Sequence, residues 1–291
     1  MSEVIGIGAA PRRKEDLRFL TGRGNYVADI ERPGMVFGVF VRSPHAHARI
    51  KSIDPGAALA TPGVLAVFAG ADLKADGVNG LPCGWGIKGK DGQPMKEPPH
   101  PALAQDKVRY VGDAVGFVVA ESLRQARNAA DALVVNYDVL PAVVGLADAL
   151  KPDAALVYDD VPNNLCCDWD LGDKAATEAA FNKAAHIARI NLVNNRLVGN
   201  PMEPRAAIAE FHPETGHYTL WSTSQFPHVV RLLMGLFVLN IPQQRLRVVA
   251  PDVGGGFGVK QFHYAEEAVV TWACRKVGRP IRWVIQVTRM A

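Results

Sequence analysis

Residues 248–260, VVAPDVGGGFGVK, constrain the fold more than any other stretch of this chain. An apolar, strand-like run at 246–250 meets a Pro251-Asp252 break, and Gly254, Gly255 and Gly256 follow, then Phe257 and Gly258. Adjacent glycines let the backbone take positive φ and come close to a ligand. Such a loop can aim successive N–H groups at an anion or an oxo group. A bulge or tight turn is the plain alternative for a glycine triplet. Two familiar phosphate codes are excluded. Val259 precedes Lys260 where a P-loop needs glycine, and Val259 also stands where G-x-G-x-x-G, counted from Gly254, needs its last glycine.

The rest of the chain has the composition of a globular protein. Its 291 residues are 48% hydrophobic and 21% charged, enough for about two domains. A net charge of +3 without a long basic run gives no indication of nucleic acid or an anionic membrane as partner. The first residues lack an apolar signal-peptide core and no run of about 18 apolar residues occurs, so a cytoplasmic protein without a membrane span is expected. Cys83, Cys166, Cys167 and Cys274 form no C-x-x-C pair. They read as reduced thiols, mostly structural, rather than as ligands of zinc or an iron–sulfur cluster.

Along the chain the expected class is α+β, a mixed α/β fold of two lobes. Residues 1–17 read as an extended arm and 18–30 as a short strand leaving a glycine turn. Strands are expected at 35–43, 49–53 and 64–68, with a short helix at 55–60 between the last two. Residues 71–103, rich in Gly, Pro and Lys, form the longest loop-like stretch. Two strand signals around Gly112-Asp113, a Ser-capped helix at 122–134 and a strand at 134–144 follow. A turn-rich boundary lies near 148–164. Beyond it come a helix then a strand within 177–200, strands at 205–211 and 219–222, and an amphipathic helix at 226–239. Last come the strand 243–250 that delivers the glycine loop, a helix at 264–277 and a strand at 281–287.

Conventional catalytic sets are thin. No H-E-x-x-H and no G-x-S-x-G is present. His45 and His47, at i and i+2, share one face of an extended segment; hydrogen bonding outweighs metal ligation there. Glu266 and Glu267 open the last helix as a candidate base, with a solvated or capping role favoured. Glu203 and Arg205 in MEPR suit a buried ion pair or loop anchor as well as catalysis. Gln225, just before a helix start, offers a neutral donor and acceptor suited to an oxo or anionic group.

Taken together, RKEDLRFLTGRGNYVADI, RSPHAHARIKSID, KVRYVGDAVGFVVAES, NYDVLPAV, MEPRAAIAEF, WSTSQFPH and DVGGGFGVK resemble one family. It is the molybdenum-binding large subunits of the xanthine dehydrogenase/aldehyde oxidase superfamily, nearest the aerobic carbon monoxide dehydrogenase type. The resemblance implies an α/β-hammerhead-like domain over 18–147, a linker at 148–165, and the N-terminal portion of a molybdopterin-binding domain over 166–291. In the family the pterin dithiolene holds the metal, so no side-chain ligand is expected here. The protein contributes hydrogen bonds and close packing around the cofactor. Carried over by position, Gln225 matches the glutamine near the molybdenum. Gly255, Gly256, Phe257 and Gly258 match the glycine loop, with the Phe257 backbone facing the cofactor. Gln261 lies near where purine-oxidising members carry a substrate-contacting glutamate, and glutamine there disfavours the same purine recognition.

The resemblance further implies oxidation of a small substrate (CO, an aldehyde or an N-heterocycle) with oxygen from water. The cofactor would be molybdenum–molybdopterin, in its cytosine dinucleotide form. Electrons would leave through 2Fe-2S and FAD centres on an iron–sulfur small subunit and an FAD-binding medium subunit. Family large subunits are much longer, so the general-base glutamate is expected beyond Ala291 and no catalytic residue within this chain. The rival expectation is a non-catalytic truncated fragment that serves only in assembly or interaction.

Overall fold

The computed structural model describes residues 6–10, 12–195 and 197–285. The chain begins with α1 (Asp16–Leu20) and a 3-10 turn at Val27–Asp29. The first half continues with β1 (Val36–Arg42), β2 (Ala48–Asp54), α2 (Gly56–Leu59), β3 (Val64–Ala69), α3 (Gly70–Ala75), β4 (Lys107–Val108), β5 (Ala114–Ala120), α4 (Leu123–Ala132) and β6 (Val134–Val139). After α5 (Leu146–Ala149) and α6 (Lys174–Lys183) come β7 (Ala206–His212), β8 (His217–Ser222), α7 (Pro227–Leu232), β9 (Leu246–Val249), α8 (Ala265–Val277) and β10 (Ile281–Val284). The mixed α/β class expected from sequence is the class observed.

One sheet runs through both halves of the chain. Seven strands run in the order β3-β5-β1-β10-β7-β8-β9, and a smaller sheet has the order β4-β2-β6. The parallel β1–β10 pair, with Val36 opposite Ile281, stitches the first half of the chain to the second. Strand β8 also runs parallel to β9, while β7 is antiparallel to both β8 and β10.

Alternation along the strands sends side chains to opposite faces. Phe117 and Val119 of β5 join Phe40, Ile281 and Trp283 in the main core beneath α3 and α8. Val118 of the same strand faces Ala129 of α4 on the other side. The Phe40 and Phe117 rings lie 4.5 Å apart and Trp283 meets Phe40 edge-on at 5.8 Å. Fully burying a ring such as that of Phe117 is worth about 2–3 kcal/mol. Helix α8 is buried from Glu266 to Cys274 and ends at Gly278, whose φ of 70° suits a left-handed cap. Ser122 caps α4 by accepting from the Gln125 N–H at 3.3 Å, as its position before a helix-forming run predicts.

Several expectations fail locally. Residues 18–30 form a helix and a 3-10 turn rather than a strand; Gly22, at φ 69°, follows the helix and turns the chain back. The loop-like stretch opens with α3, where the Asp72 carboxylate accepts from the Ala69 N–H at 2.7 Å. The helix predicted at 226–239 changes from α7 to a π-helical turn over Leu233–Val238, and β9 is shorter than predicted because a 3-10 turn occupies Gln243–Arg245. The strand predicted after α6 is not formed among the described residues. Its apolar side chains, including Ile190, Leu192 and Val193, are exposed, and a strand gains stability only from a neighbouring edge. The last predicted strand is observed at Ile281–Val284, and positions 286–287 lie outside the described residues.

Candidate functional site

Strand directions assemble the site. Because β8 and β9 are parallel, the segments leaving them emerge at the same end of the sheet. Strand β7 is antiparallel to β8, so the segment entering β7 starts at that end too. Gln225 after β8, the glycine loop after β9 and Glu203 before β7 therefore converge.

The loop is bound at both ends. The Gln225 side-chain Oε1 accepts from the N–H groups of Gly258 (3.0 Å) and Lys260 (3.3 Å), and the Gln225 N–H donates to the Lys260 carbonyl at 2.8 Å. Two N–H donors facing Oε1 fix the orientation of the amide, because the flipped form would set its NH2 against them. The Gln225 Nε2 group is left as a donor with no acceptor among the described residues. Gly256 presses on this side chain: a Cβ there would stand 2.5 Å from the Gln225 Cδ and Oε1. Gly255 and Gly258 sit at φ 97° and 83°, and exposed Phe257 takes a left-handed φ of 49°, a conformation of the kind that clusters at ligand-contacting sites. Among the described residues, the N–H groups of Gly255, Gly256 and Phe257 have no acceptor. Three successive donors beside positive-φ residues are able to meet an anion or oxo group.

On the other side, Glu203 braces the loop. Its Oε2 accepts from the Gly254 N–H at 2.7 Å and from the Lys260 ammonium at 2.8 Å, and Lys260 also donates to the Glu203 carbonyl at 2.8 Å. The Lys260 side chain is 0% exposed and that of Glu203 10%. The start of the loop is held from the N-terminal segment. Arg18 grips the Asp252 carboxylate with both Nη groups (Nη2–Oδ1 2.6 Å), and the Asn25 N–H adds a third donor at 2.7 Å. Arg18 lowers the Asp252 carboxyl below its ordinary range, and the Asn25 N–H adds to the effect.

Behind the loop lies a buried charge cluster. Glu266 meets Arg42 at 2.5 Å and Arg205 at 3.5 Å, and Arg205 stacks 3.6 Å from the Tyr264 ring centroid. Burial alone would raise the Glu266 carboxyl, but Arg205 and Arg42 outweigh it and hold it low. Burial wins at Glu267 and raises its carboxyl, although Ser222 donates to it and the Tyr264 N–H bonds it at 3.0 Å. Burial, with His100 nearby, lowers the basicity of His263, whose two ring nitrogens have no hydrogen-bond partner among the described residues.

The structure thus brings Gln225, Gly255, Gly256, Phe257 and Gly258 together. Gln261 follows directly, its N–H donating to the Gly258 carbonyl at 3.2 Å. Other candidates lie elsewhere or take structural roles. His47 bonds the Pro141 carbonyl through Nδ1 at 2.9 Å, and the His45 ring stands edge-on to Tyr137 at 5.0 Å. The solvated role favoured for the Glu266-Glu267 pair is corrected: both are buried, and the capping role falls to Glu267. Glu203 and Arg205 each enter ion pairs, with Lys260 and Glu266 rather than with one another. Sequence reasoning missed Arg18 and Lys260 as braces, because their partners lie 234 and 57 residues away. The lone lysine ending an apolar GGGFGVK run was the one available signal for a buried cation.

Both halves of the chain match known protein families. Residues 21–141 match the a/b hammerhead domain of aldehyde oxidase and xanthine dehydrogenase, and residues 157–290 match the molybdopterin cofactor-binding domain. The carbon monoxide dehydrogenase large chain of Afipia carboxidovorans is 38% identical over 97% of this chain and 35% of its own length. The nicotine 6-hydroxylase large subunit of Paenarthrobacter nicotinovorans is 34% identical over 96% of this chain and 33% of its own length. The crystal structure of a Cu,Mo-CO dehydrogenase superposes with a TM-score of 0.84 at 36% identity, covering 98% of this chain and 36% of that one. Quinoline 2-oxidoreductase from Pseudomonas putida 86 superposes with a TM-score of 0.83 at 36% identity, over 96% and 34%. The chain spans about a third of the length of these relatives. With both domain matches in sequence order and the glycine loop built as described, the chain belongs to the xanthine dehydrogenase/aldehyde oxidase superfamily of molybdopterin-binding large subunits.

Proposed function

We propose that this chain forms the cofactor-receiving wall of a molybdenum hydroxylase. The observation that carries the proposal is the row of N–H groups at Gly255, Gly256 and Phe257, without acceptors among the described residues and flanked by the Gln225 Nε2 donor. These donors fit a group rich in oxo, sulfido and phosphate acceptors, and the missing Cβ at Gly256 leaves the Gln225 side chain room to sit against the loop. When bound, molybdopterin supplies two-electron oxidation of a small substrate with oxygen from water.

The roles of this chain's own residues follow from their placement. Gly255, Gly256, Phe257 and Gly258 seat the cofactor by backbone contact. Gln225 donates through Nε2 to an electron-rich atom of the centre while its Oε1 keeps the loop in register. Gln261, next to the loop, faces substrate, which is CO, an aldehyde or an N-heterocycle. Residues 18–147 act as the hammerhead-like domain, 148–165 as a linker and 166–291 as cofactor-binding sequence. We further propose the cytosine dinucleotide form of the cofactor and 2Fe-2S and FAD centres on partner subunits, in the cytoplasm.

Molybdenum and pterin content of protein purified from a molybdenum-replete host tests the proposal. Wild type retains both, and Gly256→Val, whose side chain would displace Gln225, loses them. Normal molybdenum in Gly256→Val refutes the loop assignment. A second function, assembly without catalysis, draws on the exposed apolar run that includes Ile190, Leu192, Val193 and Leu197. Wild-type protein without molybdenum would favour it.

A further inference from the structure

The N-terminal segment touches the glycine loop through a contact that the core does not need. Helix α1 has no buried residue. Yet Arg18 spans 234 residues to grip Asp252 with both Nη groups, two positions before Gly254. The Arg18 and Asp252 side chains are 39% and 14% exposed, and the Arg18 guanidinium also covers the Phe19 ring at 4.7 Å. Asn25 and Asp252 exchange backbone contacts: the Asn25 N–H meets the carboxylate at 2.7 Å and the Asp252 N–H meets the Asn25 carbonyl at 3.2 Å. Tyr26 forms a parallel bridge with Asp252, and its ring lies 3.5 Å from the position a Gly254 Cβ would take.

From these contacts we infer that Arg18 is a positioning residue that clamps the entrance of the glycine loop, through Asp252, for the cofactor. The inference rests on the proposed function. The exit of the loop is held by Gln225 at Gly258 and Lys260, and Glu203 braces Gly254 and Lys260 from beneath. Arg18 pins the Pro251-Asp252 break from the outside. A loop held at both ends keeps its three N–H groups in one arrangement, so a ligand loses less free energy to ordering them. A planar, bidentate guanidinium suits this task because it fixes direction as well as distance.

The test uses protein purified from a molybdenum-replete host, with Arg18→Met, Arg18→Lys, Asp252→Asn and the pair Arg18→Met/Asp252→Asn. Two quantities are read: the rate of molybdenum release, and amide hydrogen exchange of residues 250–261 against β5 in cofactor-free protein. Arg18→Met should release molybdenum roughly three- to tenfold faster and raise exchange at 250–261 while β5 stays protected. Arg18→Lys should recover part of both effects, and the pair should be no worse than Arg18→Met alone. Unchanged release in Arg18→Met, with Gly256→Val depleted of molybdenum, overturns the clamp and leaves the loop assignment standing. Exchange raised equally in β5 also overturns it, since that marks a global loss of stability. If Gly256→Val keeps its molybdenum, the cofactor proposal fails by itself and exchange alone decides the clamp: a rise confined to 250–261 supports it and no rise refutes it.

Discussion

Lys260→Met removes the cation at the centre of the site's buried polar network while keeping the length and apolar stem of the side chain. The ammonium has 0% exposure and two acceptors, Glu203 Oε2 and the Glu203 carbonyl, each at 2.8 Å. Its loss strands a carboxylate that is 10% exposed. Removing one partner of a buried ion pair costs about 3–5 kcal/mol. Here the Gly254 N–H still reaches Glu203 Oε2 at 2.7 Å, so the lower part of that range applies, about 3–4 kcal/mol. At about 2–4 °C per kcal/mol for a protein of this size, the expected fall in Tm is about 6–16 °C. Urea denaturation with a thermal melt measures both. The double variant Lys260→Met/Glu203→Gln separates charge from packing. The amide oxygen that this variant carries at position 203 still accepts from the Gly254 N–H, and no uncompensated charge remains. The double variant should therefore recover about 2 kcal/mol relative to Lys260→Met. A cost below about 1 kcal/mol for Lys260→Met, or no recovery in the double variant, refutes the argument that a stranded charge dominates.

Two further outcomes are expected. Gln225→Glu keeps an oxygen for the Gly258 and Lys260 N–H groups but sets a carboxylate oxygen where the amide donor stood, against an oxo-rich group, so molybdenum content should fall at least about tenfold; unchanged molybdenum content would remove Gln225 from the site. His263, buried without a hydrogen-bond partner among the described residues and held below its ordinary pKa of 6.5, binds protons less readily folded than unfolded. Its contribution is present above about pH 6.5 and is lost as pH falls toward its depressed value. Urea midpoints at several acidic pH values should decline less steeply for His263→Leu than for wild type, and identical slopes would exclude His263 as a source of acid sensitivity.

Local chemistry in the sequence was enough to read much of this. Val36–Arg42 is β-branched and aromatic and forms β1, and Ser122 before a run of helix formers starts α4. Both outcomes depend on neighbours within a few positions. Glycines 254–256 likewise announced a loop before the packing around it was seen, since few other residues tolerate positive φ and a close neighbour at once. The segment after α6 shows the limit. Its apolar pattern reads as strand, but a strand exists only when another edge accepts its hydrogen bonds.

What the sequence by itself determined is the kind of elements such as β1, α4 and α8, the glycine triplet as a loop, and the family signature distributed along the chain. Tertiary structure alone decided which distant residues serve that loop. Parallel β8 and β9 set Gln225 against Gly256, and antiparallel β7 delivers Glu203 to Lys260. The chain start folds back to place Arg18 on Asp252. The physical reason is range: backbone preference and capping act over a few residues, whereas a buried ion pair depends on strand direction and register, which are settled only when the whole sheet closes.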